Sequence, residues 1–209
     1  NTAYREQRFT PLEAVEAQLR GIDATSGGQA AHYQKYWLGF LLYKKSIALM
    51  HWNQRDAAED ALAEALDVLE RIETPDPEVH ALIGMAGGLN FQFVPRKDIM
   101  EAISKTNKHL KKAIDQNGSL RGYYANAMSD WYTAEQYGGK QKAEDYLRKA
   151  LSLPNDTGGL LGPSWGRAET MALLISILRE KGKTSEATTL LAKAEDQYPE
   201  HIAITRLSN

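Results

Sequence analysis

Three segments of the chain repeat one pattern of small and apolar residues, and this repeat constrains the fold more than any other feature. In each segment a turn residue (Asn53, Gly138 or Gly182) is followed five residues later by alanine, four residues after that by leucine and three after that by alanine again. The residues that follow the three turns are Ala58, Leu62 and Ala65; Ala143, Leu147 and Ala150; and Ala187, Leu191 and Ala194. Spacings of three and four place side chains on one face of an α-helix. Each segment therefore predicts a turn that leads into an amphipathic helix.

The composition favours helices throughout the chain. Alanine and leucine together occupy 51 of the 209 positions, whereas valine occupies four. Alanine and leucine are strong helix formers, and valine favours strands. No stretch alternates apolar and polar residues over a strand length. The sequence therefore predicts an all-α protein.

Local signals predict where several helices begin. Residues Thr10–Glu13 have the form of a capping box with proline at the first helical position, which predicts that a helix begins there. Asp76 followed by Pro77 predicts the start of a later helix, with Asp76 as its N-cap and Pro77 at its first helical position. That later helix contains Gly84, Gly87 and Gly88, which lower its intrinsic stability but permit close approach of a second helix.

The repeat resembles the tetratricopeptide repeat family, whose units are helical hairpins with small residues at fixed positions. The resemblance is best over residues 168–199, where the matching positions are Met171, Leu174, Leu178, Gly182, Ala187, Leu191, Ala194 and Pro199. It extends to residues 39–72 and 124–155, although Lys45 and Trp131 depart from the family pattern. The loop at residues 155–163 is an insertion between two of these units.

The resemblance implies an all-α, right-handed superhelix of about four stacked antiparallel helical hairpins. Residues 1–209 would form a single domain of this type, and residues 1–29 would form a capping helix and loop. The tail after Pro199 would cover the other end of the stack.

In this family the first helix of each hairpin lines a concave groove. Carried onto this chain, the resemblance implies a partner-binding groove with Tyr43, Met128, Tyr132 and Arg179 as its anchors. The full set of predicted groove residues is Phe40, Tyr43, Met128, Tyr132, Glu135, Ser176 and Arg179.

Charge and residue content argue against several other functions. The chain carries 25 basic and 27 acidic side chains. This near-neutral net charge gives no indication of the excess of basic residues that is typical of nucleic-acid-binding proteins. It has no cysteine, and no apolar run approaches the roughly 20 residues that span a bilayer. No two of the five histidines have the spacing of a helical metal site; they are His32, His51, His80, His109 and His201. We therefore expect no catalytic residues, cofactor, bound metal, nucleic-acid partner or membrane insertion.

The sequence predicts a non-enzymatic scaffold or adaptor that holds a protein or peptide partner in a concave groove. Two alternatives stay open. One is an all-α enzyme or small-ligand-binding protein with a site among the aromatic helices at residues 33–52 and 123–137. The other is a fragment of a larger assembly whose further domains cover the array.

Because the chain starts with Asn1, we expect processing or a longer reading frame, and we favour an exported bacterial protein of the periplasm over a cytoplasmic one.

Overall fold

The fold is all-helical, as the sequence predicts. The computed structural model describes residues 2–22, 27–115, 117–156 and 159–208, and within these ranges it contains ten α-helices, two short 3-10 helices and no strand. The α-helices are α1 (Thr2–Gly21), α2 (Gly28–His51), α3 (Arg55–Glu70), α4 (Pro77–Asn90), α5 (Ile99–Ile114), α6 (Leu120–Tyr132), α7 (Ala143–Leu151), α8 (Arg167–Glu180), α9 (Thr184–Gln197) and α10 (Ile202–Ser208). The 3-10 helices are η1 (Glu135–Tyr137) and η2 (Gly159–Leu161).

One of the two predicted helix starts is confirmed and the other is wrong. Asp76 precedes α4, and its Oδ1 accepts a hydrogen bond of 2.9 Å from the backbone N–H of Val79, which satisfies one of the free donors of the first turn. In contrast, α1 begins at Thr2, so the proline at position 11 lies inside the helix. Residues 2–9 contain neither glycine nor proline, so no residue in that segment prevents the helix from beginning upstream of position 11.

The chain divides into two compact units. The first comprises Asn1–Pro75 and Ala86–Asn107, and the second comprises Asp76–Met85 and Lys108–Asn209. Helices α4 and α5 therefore contribute residues to both units. A single domain over residues 1–209 stays a prediction.

In the first unit, α2 and α3 pack as an antiparallel hairpin. A Cβ atom on Gly39 would lie 2.5 Å from the Leu69 side chain, so the two backbones approach closely there. Further along α2, the buried Ser46 donates a hydrogen bond of 2.7 Å to the carbonyl oxygen of Ala58. As residue numbers rise along α2, the contacted residues fall along α3, which defines the antiparallel order.

Helix α1 packs against α2 in the same unit, and this contact explains one departure from the repeat pattern. Lys45 occupies a position where the predicted repeat would have an apolar residue. Its Nζ lies 2.9 Å from Oε2 of Glu16 in α1, so the charge is paired where it meets that helix. Gln34 adds a hydrogen bond of 2.6 Å to the carbonyl oxygen of Leu19.

In the second unit, helices α6 to α10 surround one apolar core. α7 packs on α6 and α8, α9 packs on α8, and α10 packs on both α8 and α9. The fully buried core side chains include Leu147, Ile175, Ile177, Leu178 and Ile204. Ile204 belongs to α10, so the tail after Pro199 contributes to the core.

The three pattern turns share one backbone geometry. The residues Asn53, Gly138 and Gly182 have left-handed φ angles of 59°, 85° and 72°. In each turn the next residue donates its N–H to the carbonyl oxygen five positions before it: Gln54 to Leu49 at 2.9 Å, Gly139 to Ala134 at 3.3 Å, and Lys183 to Leu178 at 2.8 Å. This is the bond pattern of a Schellman helix end, which glycine and asparagine favour.

We expect Gly182→Leu and Gly138→Leu each to destabilise the fold by about 1 kcal/mol or more, because a branched side chain disfavours a left-handed φ. The matched control is Gly88→Leu, since Gly88 is exposed in helical conformation with no atom within 4 Å of an added Cβ. That variant should be neutral or more stable, because leucine is the better helix former. Urea denaturation midpoints measure all three, and unchanged midpoints at both turn positions would contradict the shared turn geometry.

Candidate functional site

The predicted groove residues of the first unit are largely covered. Tyr43 is buried, with 3% of its surface exposed, so it offers a partner almost no surface. Phe40 is half-buried, and the ammonium group of Lys44 lies 5.2 Å from the centroid of its ring. The prediction of Tyr43 as a groove anchor is therefore wrong, because α2 presents this position to the core of its unit rather than to solvent.

The other aromatic side chains of α2 pack on one another. Successive rings from Tyr33 to Tyr36, Trp37 and Phe40 meet edge to face at centroid distances of 6.5, 5.5 and 5.7 Å. Tyr33 and Tyr36 are buried. Edge-to-face contacts of this kind stabilise a core. The aromatic residues of α2 therefore act mainly in packing.

The predicted groove residues of the second unit retain more exposed surface. Tyr132 at the end of α6 is 73% exposed, and Glu135 and Arg179 are also exposed. Met128 and Ser176 are half-buried. Ser176 donates a hydrogen bond of 3.0 Å to the carbonyl oxygen one turn earlier, as helical serine often does.

Aromatic side chains recur at the end of α6 and in the segment that follows it, and we call residues Trp131, Tyr132, Tyr137 and Lys140 the α6 aromatic patch. Trp131 is half-buried against the core of the second unit. Tyr137 is 78% exposed. The Lys140 ammonium group lies 4.7 Å from the Trp131 ring centroid and 2.9 Å from Oε1 of Glu180 at the end of α8. The patch thus combines two exposed tyrosine rings with a fixed cation, and its ion pair ties the end of α8 to it.

A second polar cluster lies where α7 meets the turn between α8 and α9. The Glu144 carboxylate contacts the side-chain nitrogens of Lys183, Arg148 and Lys181 at 2.6, 2.8 and 3.0 Å. Hydrogen bonds from Lys183 and then Arg148 lower the pKa of Glu144 to about 2. Each cation is paired with this carboxylate, so the ion pairs of the cluster stabilise the packing of α7 against the turn between α8 and α9.

We expect Glu144→Gln to cost about 1 kcal/mol near neutral pH, because solvent screens its partly exposed partners. The folded pKa of Glu144 lies below its ordinary value of 4.5, so its contribution is complete above that pH and is lost as the pH falls toward 2. Urea denaturation at about pH 7 and about pH 2.5 measures this. The exposed Glu200, changed to Gln, is the control. A difference between wild type and Glu144→Gln that persists undiminished at the lower pH would contradict the assignment.

Arg121 on α6 is fully buried, although no pattern in the sequence marks it as a packing residue. Its Nε lies 3.1 Å from Oε2 of Glu78, whose side chain is 5% exposed. Its Nη1 donates a hydrogen bond of 2.8 Å to the carbonyl oxygen of Asn155, and its Nη2 donates to the carbonyl oxygens of Asn155 and Pro163. The guanidinium carbon also lies 5.6 Å from the ring centroid of Trp165.

The partners of Arg121 enclose the loop that interrupts the repeat spacing. Asn155 and Pro163 stand at the two ends of the predicted insertion, and Asn155 also donates a hydrogen bond of 2.6 Å to the carbonyl oxygen of Ser164. One buried guanidinium therefore joins both ends of the loop to α6 and α4. Its two terminal nitrogens donate to backbone carbonyl oxygens, and its Nε lies beside the Glu78 carboxylate without a hydrogen bond. Because the whole group is enclosed, its role is structural.

Two histidines that are distant in sequence meet in the second unit. Nδ1 of His80 in α4 lies 3.1 Å from Nδ1 of His109 in α5. Burial, and next the neighbouring His109, lower the pKa of His80 to about 4. Helical spacing in the sequence does not reveal this pair, because its members lie on different helices.

In the ranges described, no group of three or more histidine, aspartate and glutamate side chains is placed to hold a metal ion. None of the helices described here is both long enough and apolar enough to cross a bilayer. Comparison of the chain with protein-family models, with curated proteins and with solved structures finds no match.

Proposed function

We propose that this chain is a helical-repeat scaffold, similar to tetratricopeptide repeat proteins, that binds a protein or peptide partner without catalysing a reaction. The observation that carries the proposal is the common geometry of the turns at Asn53, Gly138 and Gly182. Each has a left-handed φ and the same bond to the carbonyl oxygen five positions before its second residue.

The alanines after these turns support the same proposal. They are at most 2% exposed in all three segments; the set is Ala58, Ala65, Ala143, Ala150, Ala187 and Ala194. Small residues at recurrent positions let the helices of successive hairpins pack closely, as in repeat arrays. A chain built from such units presents long rows of side chains on its first helices, and such surfaces commonly bind partners.

The binding surface that we propose is the α6 aromatic patch together with Glu135 and Arg179. Tyrosine and arginine are enriched where a few side chains carry most of the binding energy. Tyr132 exposes a large ring with a polar tip. Such a side chain can bury apolar surface against a partner while its hydroxyl group forms a hydrogen bond. Tyr43 does not belong to this surface, because it is buried.

A photo-activated crosslinking residue placed at position 132 tests the proposal in extracts of the cells that produce the protein. The matched control places the same residue at the exposed Lys193 on α9, a second helix of a hairpin. We expect a defined partner to be captured at position 132 and not at position 193. Capture of nothing, or of the same proteins from both positions, would contradict the proposed surface.

Once a partner is captured, Tyr132→Ala should weaken its binding roughly tenfold or more, as expected for an exposed aromatic anchor. We expect this loss of affinity because alanine removes the aromatic ring that the proposed partner would bury. Titration calorimetry measures the dissociation constant, and the thermal midpoint of the free variant should remain that of the wild type. An unchanged dissociation constant would exclude Tyr132 as an anchor.

A further inference from the structure

The contact between His80 and His109 has a geometry that suits a shared metal ion. The two rings belong to neighbouring helices, lie 5.0 Å apart at their centroids and are inclined by 68°. Their Nδ1 atoms are 3.1 Å apart. His80 is 7% exposed, whereas His109 is half-buried, so solvent reaches the pair mainly at His109.

Imidazole nitrogens bind first-row transition metals at about 2.0–2.1 Å. Two such bonds that span 3.1 Å meet at an angle of about 98°, which lies between the square-planar and tetrahedral values. The distance between the two nitrogens therefore suits one shared ion once the rings turn their lone pairs toward it, and water can fill its remaining positions. Nitrogen ligands favour copper, nickel and zinc over magnesium and calcium.

We propose that His80 and His109 together bind one divalent transition-metal ion, with copper preferred, through their Nδ1 atoms. In the absence of the ion, one ring donates its Nδ1–H to the other. When the ion binds, that proton moves to the other nitrogen of its ring and both lone pairs face the metal. The ion then joins α4 to α5 within the second unit.

The charges around the pair are consistent with binding of a neutral imidazole pair. The low pKa of His80 keeps that ring neutral at neutral pH, which is the form that ligates metals. Lys112 opposes a bound cation, and the Asp76 carboxylate favours one. Only two protein ligands take part, so we expect a dissociation constant in the micromolar range rather than retention through purification.

The test uses the full chain after treatment with a chelator. Copper(II) is titrated by calorimetry near neutral pH, and the bound ion is examined by electron paramagnetic resonance. We expect one ion per chain and hyperfine splitting from two imidazole nitrogens. His80→Gln and His109→Gln should each weaken binding at least tenfold, while His51→Gln, at an exposed position near the end of α2, should not.

Three results would overturn the proposal: no saturable binding in the micromolar range, a spectrum without two nitrogen ligands, or equal loss of affinity in His51→Gln. The spectrum of the wild-type protein decides the question even if a substitution at His80 disturbs folding. The thermal midpoint of the wild type should also rise when copper is added, because the ion binds the folded pair.

Discussion

Arg121→Met is expected to destabilise the protein by about 3–5 kcal/mol. The substitution leaves the Glu78 carboxylate buried without the guanidinium that contacts it at 3.1 Å. It also removes the donors that serve the carbonyl oxygens of Asn155 and Pro163, and a buried acceptor that loses its donor is costly. Equilibrium unfolding in urea measures the loss.

Two further variants separate the buried charge from a general effect of removing an arginine. Arg71→Met removes a guanidinium that is 71% exposed, and it should change stability by no more than about 0.5 kcal/mol. The double variant Glu78→Leu with Arg121→Met should lose less than the sum of the single changes, because no unpaired charge remains. Stability of Arg121→Met within about 1 kcal/mol of wild type would contradict the structural role of the pair.

Gly122→Ala is expected to cost about 3 kcal/mol, because its new methyl group would overlap the backbone of α5. The added Cβ would meet the carbonyl oxygen of Ala113 and lie 2.8 Å from its carbonyl carbon. A backbone carbonyl cannot move aside as a flexible side chain can. Asn126 bonds the α5 carbonyl of Leu110 at 2.8 Å and holds the two helices together beside this point.

Gly88→Ala is the matched control for Gly122→Ala. Gly88 is also helical, but it is exposed and an added Cβ would meet no atom within 4 Å. Alanine should therefore stabilise the protein by about 0.5–1 kcal/mol through its greater helix propensity. The two glycine-to-alanine changes should thus shift the urea midpoint in opposite directions. Similar shifts at both positions would show that α5 and α6 do not approach as closely as described.

Features that depend on a few neighbouring residues were predictable from the sequence. The all-α class, the cap at Asp76 and the turns at Gly138 and Gly182 all follow from hydrogen bonds and φ preferences within about one helical turn. The close approach expected at the glycines of α4 is present at Gly84, where an added Cβ would lie 2.5 Å from the Leu110 side chain. At Gly88 that expectation is wrong, because Gly88 is exposed with no atom within 4 Å of an added Cβ.

The candidate sites depended on tertiary structure to a much greater degree. Whether Tyr43 faces solvent or the core depends on how α2 is rotated about its own axis. Side-chain packing sets that rotation, and the helix propensities of neighbouring residues do not. Tyr132 keeps its exposure because it lies at the end of its helix, where fewer neighbours cover it.

The sequence by itself determined that this protein is helical and where its repeated turns lie, because those properties arise from interactions between residues close in the chain. Only the tertiary structure decided that Arg121 meets Glu78 and that His80 meets His109. Each of these pairs joins different helices, and its contact depends on the distance and rotation with which the helices pack. Helical periodicity specifies which face of a helix is apolar, but it does not specify which residue on another helix that face will meet.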